Sequence, residues 1–511
     1  MDLMIPLRTE TDVPLYQQIY EYIKQEIRMG GLRAAVRLPS TRQLAEHLKV
    51  SRSTTQLAYD QLLAEGYIES VPCRGYFVCE TENLLELPGK GRSGPGTAGA
   101  GEAGGAGTGD RAGKAGRGGS CRQEQGLAGG KPEPGADSSS REQPEYEVDF
   151  SPRGIDLESF PYGVWRRLSR NALVEDNREM FLAGDRQGEL SLREAIRDYL
   201  HAARGVICGA DQVVIGAGNE YLLMLLMSIL GKERTIAMEN PTYKQAYRVL
   251  AGQGVRVVPV EMDGRGMRPD RLEERGADIA YVMPSHQFPT GIVMPVRRRQ
   301  ELLQWAGRRP GRFLIEDDYD SEFRYRGKPV PALQGMGGEE QVIYLGTFSQ
   351  SVAPAIRISY MVLPRPLLEA YRERAGFYAS TVSRIDQTIL YEFLTGGHFE
   401  RHLNRMRAVY RGKHDSLLAA LKPLDREAEI SGENAGIHLL LTHKSLGERE
   451  LVRRAEALGV KVYGLSSYFI GEQEAENQGR TVVLGYASLT EEQIREGAGR
   501  LVRAWKAGPQ A

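Results

Sequence analysis

After Pro14 the apolar positions Leu15, Ile19, Ile23 and Ile27 recur every four residues in an otherwise polar stretch. That period predicts one amphipathic helix, stopped at Gly30-Gly31. Ser40-Thr41-Arg42-Gln43 has the spacing of a capping box and opens a second helix with Leu44, Ala45 and Leu48 turned inward. Beyond a short turn at Lys49-Val50, Ser51 can cap a third helix whose core face carries Ala58, Leu62 and Leu63. Two helices joined by so short a turn suggest helix-turn-helix. Tyr67–Val71 and Tyr76–Val78 then read as short strands around Pro72-Cys73-Arg74-Gly75, a hairpin with an arginine at its tip, in other words a wing.

The pattern lapses after residue 80. Eighteen of the 59 glycines lie between Gly89 and Gly135, and from Pro88 to Pro144 the only large aliphatic is Leu127, with no aromatic. Such a segment cannot bury enough surface to offset its chain entropy, so 81–145 is expected to be a disordered, flexible tether. From about residue 146 to 507 apolar runs return, at Val213–Ile215, Thr235–Met238, Val255–Val260, Ile279–Met283, Phe313–Ile315 and Val342–Leu345, separated by helical patterns. This alternation predicts an α/β body with a mostly parallel sheet. Its large part is expected at about 205–400 and a small C-terminal subdomain at about 405–507.

Composition narrows the picture. Sixty-six basic and 67 acidic side chains leave a formal net charge of −1, so bulk charge predicts neither nucleic acid nor membrane binding. Locally, Arg37 to Gln56 holds Arg37, Arg42, Lys49 and Arg52 against Glu46 alone, which concentrates positive charge where a recognition helix would meet phosphates. Cys73, Cys79, Cys121 and Cys208 are too few and too scattered for a disulfide framework or a metal quartet, and a reducing cytoplasm is the expected setting. The longest apolar run, Tyr221–Leu230, is about half of a membrane span, and no signal peptide is read at the N-terminus.

Four stations in the body carry chemistry. Val213–Gly216 runs through Ala217-Gly218-Asn219-Glu220 into a helical segment, a glycine turn at a helix N-terminus that favours a phosphate or serves only as a tight turn. Tyr243 follows a strand end, where it stacks on a flat ring or packs in the core. Glu316-Asp317-Asp318-Tyr319-Asp320 ends another strand, where a carboxylate could keep a pyridine nitrogen protonated, a divalent cation being the competing reading. Leu345-Gly346-Thr347-Phe348-Ser349-Gln350-Ser351 supplies hydroxyls, and Arg357 a guanidinium, for an anion. His398 and His402, four apart on a helix, lack a third ligand and read as a solvated face.

The head block Leu38–Ala45, with Val50-Ser51-Arg52-Ser53-Thr54 and Glu65-Gly66-Tyr67-Ile68, resembles the GntR family of winged-helix regulators. That resemblance implies that Ser40, Arg42, Arg52, Ser53, Thr54 and Gln56 face double-stranded operator DNA and that Arg74-Gly75 enters the adjacent groove. Arg52 has the reach for a guanine, and the Ser40 and Thr54 hydroxyls suit phosphates. The four stations, with Gly184–Gly188, Leu192–Ile196 and Pro284–Gly291, resemble fold-type I aminotransferases that use pyridoxal 5'-phosphate. Head, tether and body together resemble MocR-type (GabR-like) regulators.

The resemblance implies a phosphate cradle of Gly218, Asn219, Thr347, Ser349 and Arg357. It also implies Asp317 on the ring nitrogen, Tyr319 on the phenolic oxygen, Tyr243 on the ring face, and Gln287 or His286 for a polar contact that Phe288 cannot make. It places Gln350 where aminotransferases carry the cofactor-bonding lysine. A glutamine amide has no basic lone pair, so it can neither bond the cofactor nor shuttle protons. Losing a general acid/base costs about 10²–10⁴-fold, which argues against transamination. Lys244 and Lys328 are the other amines weighed as substitutes. No arginine stands at Gln245 or Ser467, where some relatives read a carboxylate, so the effector stays open. The expected function is a cytoplasmic, head-to-tail dimeric DNA-binding regulator that senses noncovalent pyridoxal phosphate or its amino-acid adduct. An active aminotransferase with a DNA-binding head and a ligand-blind dimeric regulator are the alternatives.

Overall fold

The computed structural model of the chain describes residues 5–7, 14–28, 31–33, 36–65, 67–71, 75–78, 146–173, 178–324, 330–433, 435–471 and 479–506. The expected tether, Arg74 at the wing tip and Lys328 lie outside the described residues.

The head is built as its apolar stripes direct. Helix Leu15–Arg28 buries Ile19, Ile23 and Ile27. Helix Thr41–Leu48 begins with a closed capping box, Gln43 N donating to Ser40 Oγ at 3.2 Å and Ser40 N to Gln43 Oε1 at 3.0 Å. Lys49 turns the chain in the left-handed region, φ 53°, and Ser51 Oγ accepts from Thr54 N at 3.1 Å to open helix Arg52–Glu65. The hairpin pairs Ile68–Val71 with Gly75–Val78. A third extended piece joins it: Leu38 N donates to Tyr76 O and Val78 N to Val36 O, each at 2.9 Å, and Arg37 bridges to Phe77. Sequence reasoning missed this piece because Val36-Arg37-Leu38 is too short to show a period. Val296 and, partly buried, Met336 of the body join the head's core.

The body is organised on an eight-stranded sheet in the order Val213–Gly216, Ser359–Val362, Val342–Thr347, Phe313–Asp318, Ile279–Val282, Thr235–Asn240, Arg256–Asp263 and Gly266–Met267. The strands from Val342–Thr347 to Arg256–Asp263 pair in parallel. Helices cover both faces, so the strands are apolar on both. Val214, Ile343, Leu345 and Met361 pack with helix Asn219–Leu230, while Val213, Ile215, Tyr344 and Tyr360 pack with helices Leu190–Arg204 and Arg384–Thr395. Each large aliphatic so buried contributes about 1.5–3 kcal/mol.

Ser359–Val362 was not foreseen as a strand. It runs antiparallel to both neighbours, pairing Ser359 with Thr347 on one side and with Gly216 on the other. Arg357, just before it, is thereby delivered to the end of the sheet where Gly218 and Thr347 lie. A smaller antiparallel sheet, Ala428–Ser431, His438–His443, Thr481–Gly485 and Tyr463–Gly464, forms a second layer with helices Glu448–Glu456 and Glu491–Lys506. Val148–Asp149 pairs with Val460–Lys461, and Phe150 is buried in this smaller core. Among the described residues no helix is long and apolar enough to cross a membrane.

A buried ion pair ties the layers together beneath the strand ends. Arg204 Nε donates to Asp318 Oδ2 at 2.7 Å, and the same guanidinium donates to the Val330 carbonyl at 2.6 Å and to Ser285 Oγ. Arg204→Met strands the Asp318 carboxylate and should cost about 3–5 kcal/mol in denaturant unfolding. A loss within 1 kcal/mol would show that the pair does not hold this end of the sheet.

Candidate functional site

The carboxyl ends of the parallel strands converge, as ligand sites in open α/β sheets do. A cavity of about 280 Å³ opens there, lined by Gly218, Asn219, Tyr243, Asp317, Tyr319, Thr347, Ser349, Gln350 and Arg357, together with Pro152, Arg153, Glu220, Met283, Phe288, Pro354 and Ile437. Nine of the ten residues expected at a cofactor site are thus brought to one cavity.

At one end, Gly218 sits at φ 93° before helix Asn219–Leu230. A Cβ there would lie 2.4 Å from an Arg357 guanidinium nitrogen and would displace it, and the positive φ itself favours glycine. Arg357 itself is left-handed, φ 54°. It donates to the Ala217 carbonyl at 3.3 Å and to Glu220 Oε2 at 3.0 Å. Thr347 Oγ1 accepts from Ser359 Oγ at 2.8 Å and from Ser349 N at 3.1 Å, which leaves its own proton to donate.

Asp317 is held by the Tyr281 hydroxyl and, at 3.2 Å, by Asn219 Nδ2. Two of the lining residues carry buried acceptors, Asn219 Oδ1 and Gln350 Oε1, that have no hydrogen-bond partner among the described residues. Unpaired buried acceptors are costly, and a donor from water or a bound molecule would relieve them. Tyr243 and Tyr319 each meet Phe288 edge-on at about 6 Å between centroids. Tyr319 Oη lies 3.0 Å from His286 Nδ1, which is also 2.8 Å from Asp320 Oδ2.

Gln287 is a correction. It does not line the cavity: its Nε2 donates to the Pro241 carbonyl at 2.8 Å and its Oε1 accepts from Thr290 N at 3.0 Å, so its amide braces two loops. His286 does not line the cavity either, and its Nδ1 is engaged by Asp320 and Tyr319. His402 is the second correction. Far from a solvated face, it is buried, and its Nε2 donates to the Ser351 carbonyl at 3.0 Å, supporting the turn that carries Gln350. At the acidic strand end, Arg204 holds Asp318 and His286 Nδ1 lies 2.8 Å from Asp320 Oδ2, so both carboxylates already have protein partners. Lys244 does not line the cavity. Arg153, absent from the expected set, lies over Tyr243 with its guanidinium carbon 5.5 Å from the ring centroid.

On the head, Arg42 and Arg52 are exposed, and Arg42 is paired with Glu46 at 3.1 Å. Ser53 and Thr54 hydroxyls lie 2.7 and 2.8 Å from Ser51 Oγ, and Gln56 Nε2 donates to Asp60 at 2.8 Å. Ser40 is engaged in its capping box. Gly75, φ 103°, lies against the Arg37 guanidinium, so the base of the wing carries a cation that the motif did not single out.

Residues 160–501 match the family model for aminotransferase class I and II, and residues 15–78 match bacterial regulatory proteins of the gntR family. The uncharacterized HTH-type transcriptional regulator YdeL of Bacillus subtilis is 37% identical over 99% of this chain and 100% of its own length. The probable rhizopine catabolism regulatory protein MocR of Rhizobium meliloti is 33% identical over 99% and 96%. The chain belongs to the MocR-type transcriptional regulators. The pyridoxine biosynthesis regulator PdxR of Corynebacterium glutamicum is 28% identical over 97% and 96% of the two chains. Among solved structures, the α-aminoadipate aminotransferase LysN of Thermus thermophilus, complexed with N-(5'-phosphopyridoxyl)-L-leucine, aligns with a TM-score of 0.62 at 28% identity, covering 70% of this chain and 92% of its own.

An aminotransferase fold of this class implies a pyridoxal phosphate site, and the cavity's donor set fits one. Hydroxyls, a helix N-terminus and Arg357 suit the phosphate, and a buried carboxylate suits a protonated ring nitrogen. Glu220 is the dissonant group, since it already neutralises Arg357.

Burial pushes the Asp317 carboxyl up to about 7, against the opposing bond from Tyr281. Burial likewise raises Glu239 and Glu316 to about 7. The folded chain therefore keeps protons that the unfolded chain releases from about pH 4 upward. The stability these carboxyls contribute is full below about pH 4 and lost as pH rises through 7. Asp317→Asn should flatten the fall in melting temperature between pH 5 and 7, and an unchanged slope would reject the buried-acid assignment.

Proposed function

We propose that the chain is a cytoplasmic, dimeric transcriptional regulator that binds operator DNA through residues 1–80. Its body, residues 146–507, senses pyridoxal 5'-phosphate or a pyridoxal phosphate–amino acid adduct without catalysing transamination. The observation that carries this reading is the lining of the cavity. Phosphate-type donors, a buried carboxylate and an aromatic wall share it, while among the described residues that line it there is no lysine. Gln350 stands where the aminotransferase resemblance expects that lysine.

Bound pyridoxal phosphate supplies an electron-withdrawing ring and an aldehyde that condenses with amines. On this reading Arg357, Thr347, Ser349 and the Gly218–Asn219 helix start hold the phosphate. Asp317 holds the proton on the ring nitrogen, Tyr243 covers the ring face, and Gln350 presents its carbonyl to a donor on the ligand. The glutamine can orient a ligand but cannot bond the aldehyde, which favours sensing over turnover. A ligand that contacts two body conformations differently shifts their balance, and the tether of residues 81–145 passes that shift to the heads of a head-to-tail homodimer.

Titrating pyridoxal phosphate into the full chain, followed by borohydride reduction and peptide mass mapping, tests this. Saturable binding without a reduced lysine adduct supports it. A cofactor fixed on a lysine would establish the aminotransferase reading, and absence of binding the ligand-blind one. Glu220→Gln frees Arg357 and should tighten pyridoxal phosphate binding several-fold; weaker binding would remove Arg357 from the phosphate site. Arg52→Ala should weaken specific DNA binding by about 1–3 kcal/mol and relax base choice. Unchanged sequence preference in a mobility-shift series would overturn the recognition-helix assignment.

A further inference from the structure

Two guanidiniums line the cavity, and they are not equivalent. Arg357 is committed to Glu220 and the Ala217 carbonyl. Arg153 makes no hydrogen bond or ion pair with any described residue; its guanidinium carbon lies 5.5 Å from the Tyr243 ring centroid, and Tyr468 is near enough to feel its charge. Its backbone is nevertheless fixed. Ser151-Pro152-Arg153-Gly154 forms a turn closed by Gly154 N to Ser151 O at 3.4 Å. That turn is clamped against the strand Thr481–Gly485, where Gly485 N donates to the Phe150 carbonyl at 2.9 Å. A Cβ at Gly485 would lie 2.1 Å from the Ser151 oxygen, so the approach requires glycine. A rigid turn thus presents an unpaired cation to a cavity whose remaining walls include Pro152, Met283, Phe288 and Ile437.

We propose that Arg153 reads a carboxylate on the ligand, so that the effector class is an amino acid joined to pyridoxal phosphate rather than a simple amine. The inference rests on the cavity being a pyridoxal phosphate site. A guanidinium presents paired N–H donors matched to a carboxylate, and the Tyr243 face orients its plane. With Arg357 engaged, Arg153 is the cation left to answer a second anionic group.

The test uses the full chain and two stable probes that differ only in the carboxylate: N-(5'-phosphopyridoxyl)-L-leucine and N-(5'-phosphopyridoxyl)-3-methylbutylamine, titrated by calorimetry. The wild type should prefer the leucine adduct by about tenfold or more. Arg153→Gln should erase that preference while binding the amine adduct within about twofold of wild type, and Arg153→Lys should restore part of it. Arg153 is exposed, and equal melting temperatures would show that the variants fold. Both adducts binding without a carboxylate preference, or a preference that survives Arg153→Gln, would overturn the Arg153 assignment alone. Neither adduct binding would overturn the pyridoxal phosphate site as well.

Discussion

The acidic end of strand Phe313–Asp318 is the constraint around which the body is built. Side chains alternate across a strand, so Glu316 and Asp318 point to one face of the sheet and Asp317 to the other. On the first face Arg204 neutralises Asp318, and the Leu333 and Gln334 amides bond Glu316 at 2.8 and 3.1 Å. Those contacts let three successive carboxyls remain buried. Asp317, lining the cavity, is left with neutral partners, the Tyr281 hydroxyl and the Asn219 amide, and a raised proton affinity. Structural and cavity-facing acids are thus separated by one residue of β-period.

Much of this was legible in the chain. The four-residue stripe of Leu15, Ile19, Ile23 and Ile27 and the Ser40/Gln43 capping box dictate the head's helices by local chemistry alone. The long apolar runs marked the sheet's central strands because both faces are covered. The clustering of the cavity residues was legible for a related reason: in a parallel sheet the ends of successive strands meet, so Gly218, Tyr243, Asp317 and Thr347 are neighbours although they lie far apart in sequence.

What escaped reading depended on partners distant in sequence. Ser359–Val362 is too short to announce itself, and its direction comes only from its two neighbours. Gln287 looked available until Pro241 and Thr290 were seen to occupy its amide. His402 looked solvated because nothing nearby in sequence reveals that the Ser351 carbonyl lies across from it. Arg153 carries no motif, and only the turn beside Gly485 brings it into the cavity.

Pairing of Val148–Asp149 with Val460–Lys461 has a mechanical consequence. The stretch from Tyr146 to Arg153 forms a two-stranded pair with Val460–Lys461, passes Gly485 and reaches the cavity wall in a single short span. Whatever pulls on the N-terminal side of Tyr146 pulls on the same short span that ends at Tyr243's guanidinium neighbour. The stretch that opens the described body and the rim of the cavity are one piece of chain, so a displacement at Tyr146 is carried directly to the cavity wall.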